Sequence, residues 1–207
     1  MPTRVKICGI TRTEDAIEAV AAGADALGFM FFEGSKRFVT PEVAAAICRQ
    51  LPPFVAKVGV FVDAPPETMR HVAHTCGLDA VQLHGAENPA LCASLAPLTV
   101  IKAFRVADED SLAPLPDFPV AAWLLDSYVP GELGGTGARF NWQLAVRARA
   151  WGRPIILAGG LTPENVAEAV RQVKPYAVDV SSGVESAPGK KDASRLRAFI
   201  AAAKGAG

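Results

Sequence analysis

Short runs of apolar, β-prone residues recur along the chain with polar and helix-patterned stretches between them. They read VKIC (5–8), ALGFMF (26–31), VAKVGVFV (55–62), AVQLH (80–84), VIKAF (100–104), AAWLLD (121–126), PIILAG (154–159) and AVDVSS (177–182). Their starts fall roughly every 25 residues, the length of a compact βα unit. The stretches between them switch to a helical period. Ala16, Ile17, Val20, Ala21 and Ala24 form one apolar face after Thr11-Arg-Thr-Glu14, which has the form of a capping box. Thr40-Pro41, Asn88-Pro89 and Thr162-Pro163 each place an N-cap residue before proline, and Asn141 and Asp192 are caps for two later helices. Val166, Ala169, Val170 and Val173 share a face after Pro163, as do Leu196, Phe199, Ile200 and Ala203 near the end. The fifth crossover (105–120) is proline-rich, so a short or irregular helix is expected there. Lys204–Gly207 reads as a frayed end.

Strands alternating with helices imply a parallel sheet with right-handed crossovers. Eight units predict a closed (β/α)₈ barrel, a single α/β domain over residues 1–207. An open doubly wound sheet is the runner-up, but GxGxxG after the first strand is absent.

Composition narrows the ligand. Half of the 207 residues are hydrophobic, and 21 Lys+Arg balance 21 Asp+Glu. No basic patch suggests nucleic acid, and no apolar segment approaches membrane-spanning length. The first residues carry no apolar signal core. Cysteines 8, 48, 76 and 92 form no CxxC and read as free thiols in a reducing cytoplasm. A small-molecule ligand, and a monomer or homodimer, are expected.

Strand parity then locates candidate chemistry. With Val5 and Ile7 facing the helices, Lys6 and Cys8 point into the barrel, as do Gln82 and His84, Leu124 and Asp126, and Asp179 and Ser181. Lys57 and Lys102 interrupt apolar strands, and with Lys6 and Asp179 they are expected to form an internal ion network. Cys8, His84 and Asp126 end their strands, where active sites of this fold lie. For His84, a backbone-bonded imidazole at the core edge and a ligand contact are equally compatible with the pattern. Cys48, Cys76 and Cys92 fall on helical apolar faces, and His71 and His74 belong to a helix surface. Glycine-rich turns at 134–137, 158–160 and 181–183 follow late strands. Tight turning accounts for each singly. The latter two nevertheless follow strands seven and eight, where barrels bind phosphate through backbone N–H groups, and residues 182–185 are placed to begin a short helix facing an anion. A phosphorylated small molecule follows as the expected ligand.

KICGIT (6–11), FFEGSKRFVT (31–40), KVGVFV (57–62), VQLHG (81–85), LLDS (124–127), GGTGARFNW (134–142), LAGGLTPENV (157–166) and VDVSSGVESAPGKKD (178–192), in that order, resemble the phosphoribosylanthranilate isomerase family of tryptophan biosynthesis. One departure is Lys36, where members often have proline before the arginine. The resemblance implies an Amadori rearrangement of a phosphorylated aminosugar, without metal or organic cofactor. It further implies Cys8 as base, Asp126 as acid, Arg37 on the substrate carboxylate, and His84 and Asp179 lining the pocket. Phosphate contacts are expected from Gly135, Thr136, Gly137, Gly159, Gly160, Ser181, Ser182 and Gly183. A base needs thiolate and an acid needs a protonated carboxyl, so Lys6 is expected to lower the Cys8 pKa while burial or a nearby anion raises that of Asp126. The alternatives are another phosphosugar barrel isomerase or epimerase, a lyase using Lys57 or Lys102 as a Schiff base, and a non-catalytic phospholigand-binding barrel.

Overall fold

The computed structural model describes residues 3–127 and 141–207. Eight parallel strands, β1 (Arg4–Cys8), β2 (Ala26–Met30), β3 (Ala56–Phe61), β4 (Ala80–Leu83), β5 (Thr99–Val106), β6 (Ala122–Ser127), β7 (Ile155–Leu157) and β8 (Ala177–Val180), close in chain order into one barrel. The seam between β8 and β1 sets Lys6 opposite Asp179 and Ile7 opposite Val180. The expected (β/α)₈ barrel is the observed fold.

Helices α1 (Thr13–Ala21), α2 (Pro41–Cys48), α3 (Pro66–Cys76), α4 (Pro89–Ser94), α5 (Trp142–Arg149), α6 (Val166–Val173) and α7 (Ala193–Gly205) cover the outside. Two single 3-10 turns, Asp110–Leu112 and Leu115–Asp117, replace a helix between β5 and β6, where the prolines deny a longer one. Thr40, Asn88, Asn141 and Asp192 cap their helices with side-chain oxygens, as their positions predict.

Two of the expected helix starts are corrected. Thr11 does not cap α1. Its hydroxyl donates to the Gly189 carbonyl at 2.5 Å, and Arg12 takes the cap position with no side-chain bond. Asn165 Oδ1 accepts the Thr162 N–H at 2.8 Å, which holds a turn and delays α6 to Val166. On α1, Ile17 is half exposed while Asp15 is buried, accepting the Lys191 N–H. The chain end is no frayed tail either, since α7 runs to Gly205 and Lys204 pairs with Asp25 at 3.1 Å.

Two apolar layers follow strand parity. Val5, Ile7, Leu27, Phe29, Leu125, Val178 and Val180 pack outward against the helices, together with the predicted faces of α6 and α7. Val58, Ala80, Ile101, Ala103, Ala122, Leu124, Ile156 and Ala177 fill the interior. These are mostly small or branched, leaving the C-terminal half of the barrel to longer polar side chains.

Candidate active site

Lys6 and Cys8 occupy the inner face of β1. Lys6 Nζ bonds Asp179 Oδ1 at 2.9 Å inside the barrel and also contacts the Cys8 thiol. Burial pushes the Cys8 thiol up, more than Lys6 and Lys191 pull it down. The direction is opposite to expectation, because the cost of burying a thiolate outweighs the help from Lys6, and the Asp179 carboxylate beside it adds to that cost.

Cys8 is followed by Gly9 for a steric reason. Gly9 has φ of +75°, and a Cβ there would lie 2.5 Å from Arg37 Cδ. The glycine lets Arg37 cross the end of β1. Its guanidinium is held by Glu185, Nε donating to Oε1 at 2.8 Å and Nη2 to Oε2 at 2.7 Å. This uses two of its five N–H groups. Glu185 lies on a short hairpin, β9 (Glu185–Ala187) with β10 (Lys190–Lys191), that strand spacing did not predict. From β10, buried Lys191 Nζ donates to Glu185 at 2.8 Å, to the Cys8 carbonyl at 2.6 Å and to the Ser181 carbonyl at 3.2 Å. Burial opposes charge on Glu185, yet Arg37 and Lys191 together hold its carboxyl below the usual range. Burial leaves Lys191 lowered despite Glu185.

Across the mouth, His84 Nε2 lies 3.4 Å from Asp126 Oδ2, and Gln82 Nε2 lies 3.3 Å from His84 Nδ1. Gly159, with φ of +80°, packs against the end of β6. A Cβ there would lie 2.3 Å from the Ser127 nitrogen and 2.6 Å from Asp126 Oδ1. This glycine makes room for the carboxyl as well as turning the chain.

Cys8, Arg37, His84, Asp126, Asp179, Gly159, Gly160, Ser181, Ser182 and Gly183 all line one cavity of about 110 Å³ at the C-terminal mouth. Ser182–Val184 form a single 3-10 turn, the short helix expected there. Gly135, Thr136 and Gly137 lie outside the described residues.

The expected four-residue ion network is corrected: Lys57 and Lys102 are on the outer side of their strands. Lys57 pairs with Asp79 at 3.5 Å, and Lys102 with Glu87 at 3.0 Å. Neither lines this cavity, which removes the geometry of a Schiff-base lysine in it. Cys48, Cys76 and Cys92 are buried on α2, α3 and α4, and His71 and His74 are exposed on α3. Burial pushes the Cys48 thiol up to about 12, which makes it inert. Among the described residues no three His, Cys, Asp or Glu side chains gather as a metal site requires.

Glu185, Lys191, Glu87 and Gln82 were not among the predicted site residues. Gln82 had a signal, its inward parity next to His84. The others sit in the turn after β4 or on the hairpin after β8 and are brought in only by chain closure.

A barrel that sets a thiol and a carboxyl around one mouth, beside small-residue turns after β7 and β8, defines the class: a sugar-phosphate isomerase moving protons between fixed groups. The family profile described as N-(5'phosphoribosyl)anthranilate (PRA) isomerase matches residues 5–202, and the chain belongs to that family. It is 61% identical over 202 residues to N-(5'-phosphoribosyl)anthranilate isomerase of Geobacter sp. (strain M21), covering 98% of both chains. The crystal structure of phosphoribosyl anthranilate isomerase from Thermotoga maritima is similar, with TM-score 0.92, 47% identity and 98% and 99% of the two chains covered. So is that of a phosphoribosyl anthranilate isomerase in complex with reduced 1-(o-carboxyphenylamino)-1-deoxyribulose 5-phosphate, with TM-score 0.89, 46% identity and 98% and 99% covered.

Proposed function

We propose that this aldose–ketose isomerase of tryptophan biosynthesis divides its chemistry between the ends of β1 and β6, with the whole chain, 1–207, as one catalytic domain. Its substrate is N-(5-phosphoribosyl)anthranilate. Asp126 donates a proton to the furanose ring oxygen, opening the sugar to an iminium. Cys8 as thiolate removes the proton from C2, giving an enolamine that tautomerises to the ketose. The iminium helps the thiol, since a cation formed above Cys8 favours thiolate and acidifies the C2–H. No cofactor takes part.

The substrate's two anionic ends fit two regions. The guanidinium N–H groups of Arg37 that Glu185 leaves over suit the anthranilate carboxylate. Backbone N–H groups around Gly159, Gly160 and Ser181–Gly183, with Gly135, Thr136 and Gly137, suit the phosphate. His84 and Asp179 flank the reacting carbons. The observation that carries the reading is that Cys8 and Asp126, ends of different strands, line one cavity with the turns after β7 and β8.

The test follows substrate fluorescence. Cys8→Ala and Asp126→Asn should each lower kcat by about 10²- to 10⁴-fold at saturating substrate. Either variant keeping near-normal kcat overturns its assignment. Because Cys8 must be thiolate while Asp126 is protonated, kcat/KM should be bell-shaped in pH, and burial of the Cys8 thiol should carry the alkaline limb to higher pH.

No helix among the described residues is long and apolar enough to cross a membrane. Four free thiols support a reducing cytoplasmic setting. The assembly we infer is a homodimer. Phe54 is 96% exposed on the loop before β3, at the N-terminal end of the barrel. Beside it opens a hollow of about 600 Å³ lined in part by Ile101, Ile156 and Tyr176. A knob beside a hole on one face is self-complementary about a twofold axis. A Thermotoga maritima relative, 45% identical, is described as dimeric. Size-exclusion chromatography with light scattering should give a dimer for the native chain and a monomer for Phe54→Ser; a monomeric native chain overturns it.

A further inference from the structure

Gln82 has no part in the chemistry above, yet it sits deep in the same cavity. It is 1% exposed on the inner face of β4, and its Oε1 is buried without a hydrogen-bond partner. Among the described residues only Trp123 Nε1 and Ser181 Oγ share that condition. An unpartnered buried amide oxygen is costly and calls for a reason. Its other end supplies one, lying 3.3 Å from His84 Nδ1, while the far side of the imidazole faces Asp126.

We propose that Gln82 is a positioning residue that fixes the tautomer of His84 and thereby whether the ring nitrogen facing Asp126 carries the proton. The inference rests on Asp126 being the acid. A neutral imidazole has one donor and one acceptor nitrogen, chosen by its neighbours. With Gln82 Nε2–H donating to Nδ1, the ring proton is on Nε2, the nitrogen 3.4 Å from Asp126 Oδ2. Asp126 Oδ1 then remains for substrate.

When the His84–Asp126 pair takes up a further proton, Nδ1–H becomes a donor and needs an acceptor. Turning the Gln82 amide over presents Oε1 at the same point. A glutamine serves both states of the pair, whereas a leucine serves neither and a glutamate serves only the second. Other charged groups face the pair. Cys8, Arg37 and Asp179 share the cavity, Lys6 lies behind Cys8, and Asp63, Glu87, Lys102 and Arg105 lie on the β3–β5 side.

The test combines nitrogen NMR with kinetics. The chain has three histidines, so the His84 ring nitrogens are readily assigned. The native protein should show the Nε2–H tautomer near neutrality. Gln82→Leu should give mixed tautomers, lower kcat by about tenfold or more with KM little changed, and shift the acid limb of the pH–rate profile. Gln82→Glu, of nearly the same shape, should hold the proton on Nδ1 and move that limb to higher pH. An unchanged His84 tautomer in both variants, or a native pH–rate profile in Gln82→Leu, overturns the proposal. So does a pure loss of melting temperature with kcat retained. If Asp126→Asn retains activity the acid assignment fails, while the tautomer spectra still decide the role of Gln82.

Discussion

Lys6 and Lys102 are both buried on strands of one barrel, and each meets a carboxylate at nearly the same distance, 2.9 Å to Asp179 and 3.0 Å to Glu87. Their remaining partners differ. Lys102 Nζ, on the outer side of β5, lies within bonding distance of the Leu83, Gly85 and Ala103 carbonyls. Glu87 in turn accepts the N–H groups of Asp63 and Gly85. That set is saturated, and it fastens the turn after His84. Lys6, on the inner side, has one carboxylate and the Cys8 thiol. Burial works against its charge, and Asp179 together with Cys8 more than offsets this. A saturated ammonium serves the fold; one left with capacity beside a reacting group serves the chemistry.

Substituting both lysines tests the contrast. Lys6→Met should give the larger effect on catalysis, with kcat/KM down about 10²-fold or more because the thiolate loses its nearest cation. Lys102→Met should instead act on stability, costing about 3–5 kcal/mol by stranding Glu87 in denaturant unfolding. Its kcat per folded molecule should change far less. Equal kinetic losses in the two variants would erase the distinction.

A smaller effect is expected at the mouth. The Glu185 carboxyl is lowered in the folded state, so its contribution is fully present above the unfolded value of about 4.3 and is lost as pH falls through the lower folded value. Glu185→Gln should cost about 1.5–3 kcal/mol at neutral pH and flatten the fall in stability below about pH 4. A native-like acid transition in that variant would assign the fall to other carboxylates. Least of all should Lys57→Gln matter. Its pair with half-exposed Asp79 is worth under about 1 kcal/mol, and a larger loss in melting experiments would mean that Lys57 resembles Lys102.

Much of this was legible in the residues. Period-2 parity put Cys8, Gln82, His84, Asp126 and Asp179 on inner faces because one residue of register decides the face. Thr40, Asn88, Asn141 and Asp192 marked helix starts because capping is local chemistry. Thr11 and Thr162 carried the same signal and failed, the first claimed by Gly189 and the second by Asn165. On β3 and β5 both faces are apolar, so parity did not say which side Lys57 and Lys102 would take.

The sequence by itself determined the eightfold beat, the inward faces of β1, β4, β6 and β8, and the family, since each rests on local pattern or ordered motifs. Tertiary structure decided who meets whom. Lys6 finds Asp179 173 positions away, and Arg37 finds Glu185 148 positions away, only because β8 closes on β1. It also decided the state of Cys8. A lysine two residues away on the same strand face suggested a lowered thiol pKa, but burial and the Asp179 partner reversed the sign, and neither is written in the local sequence.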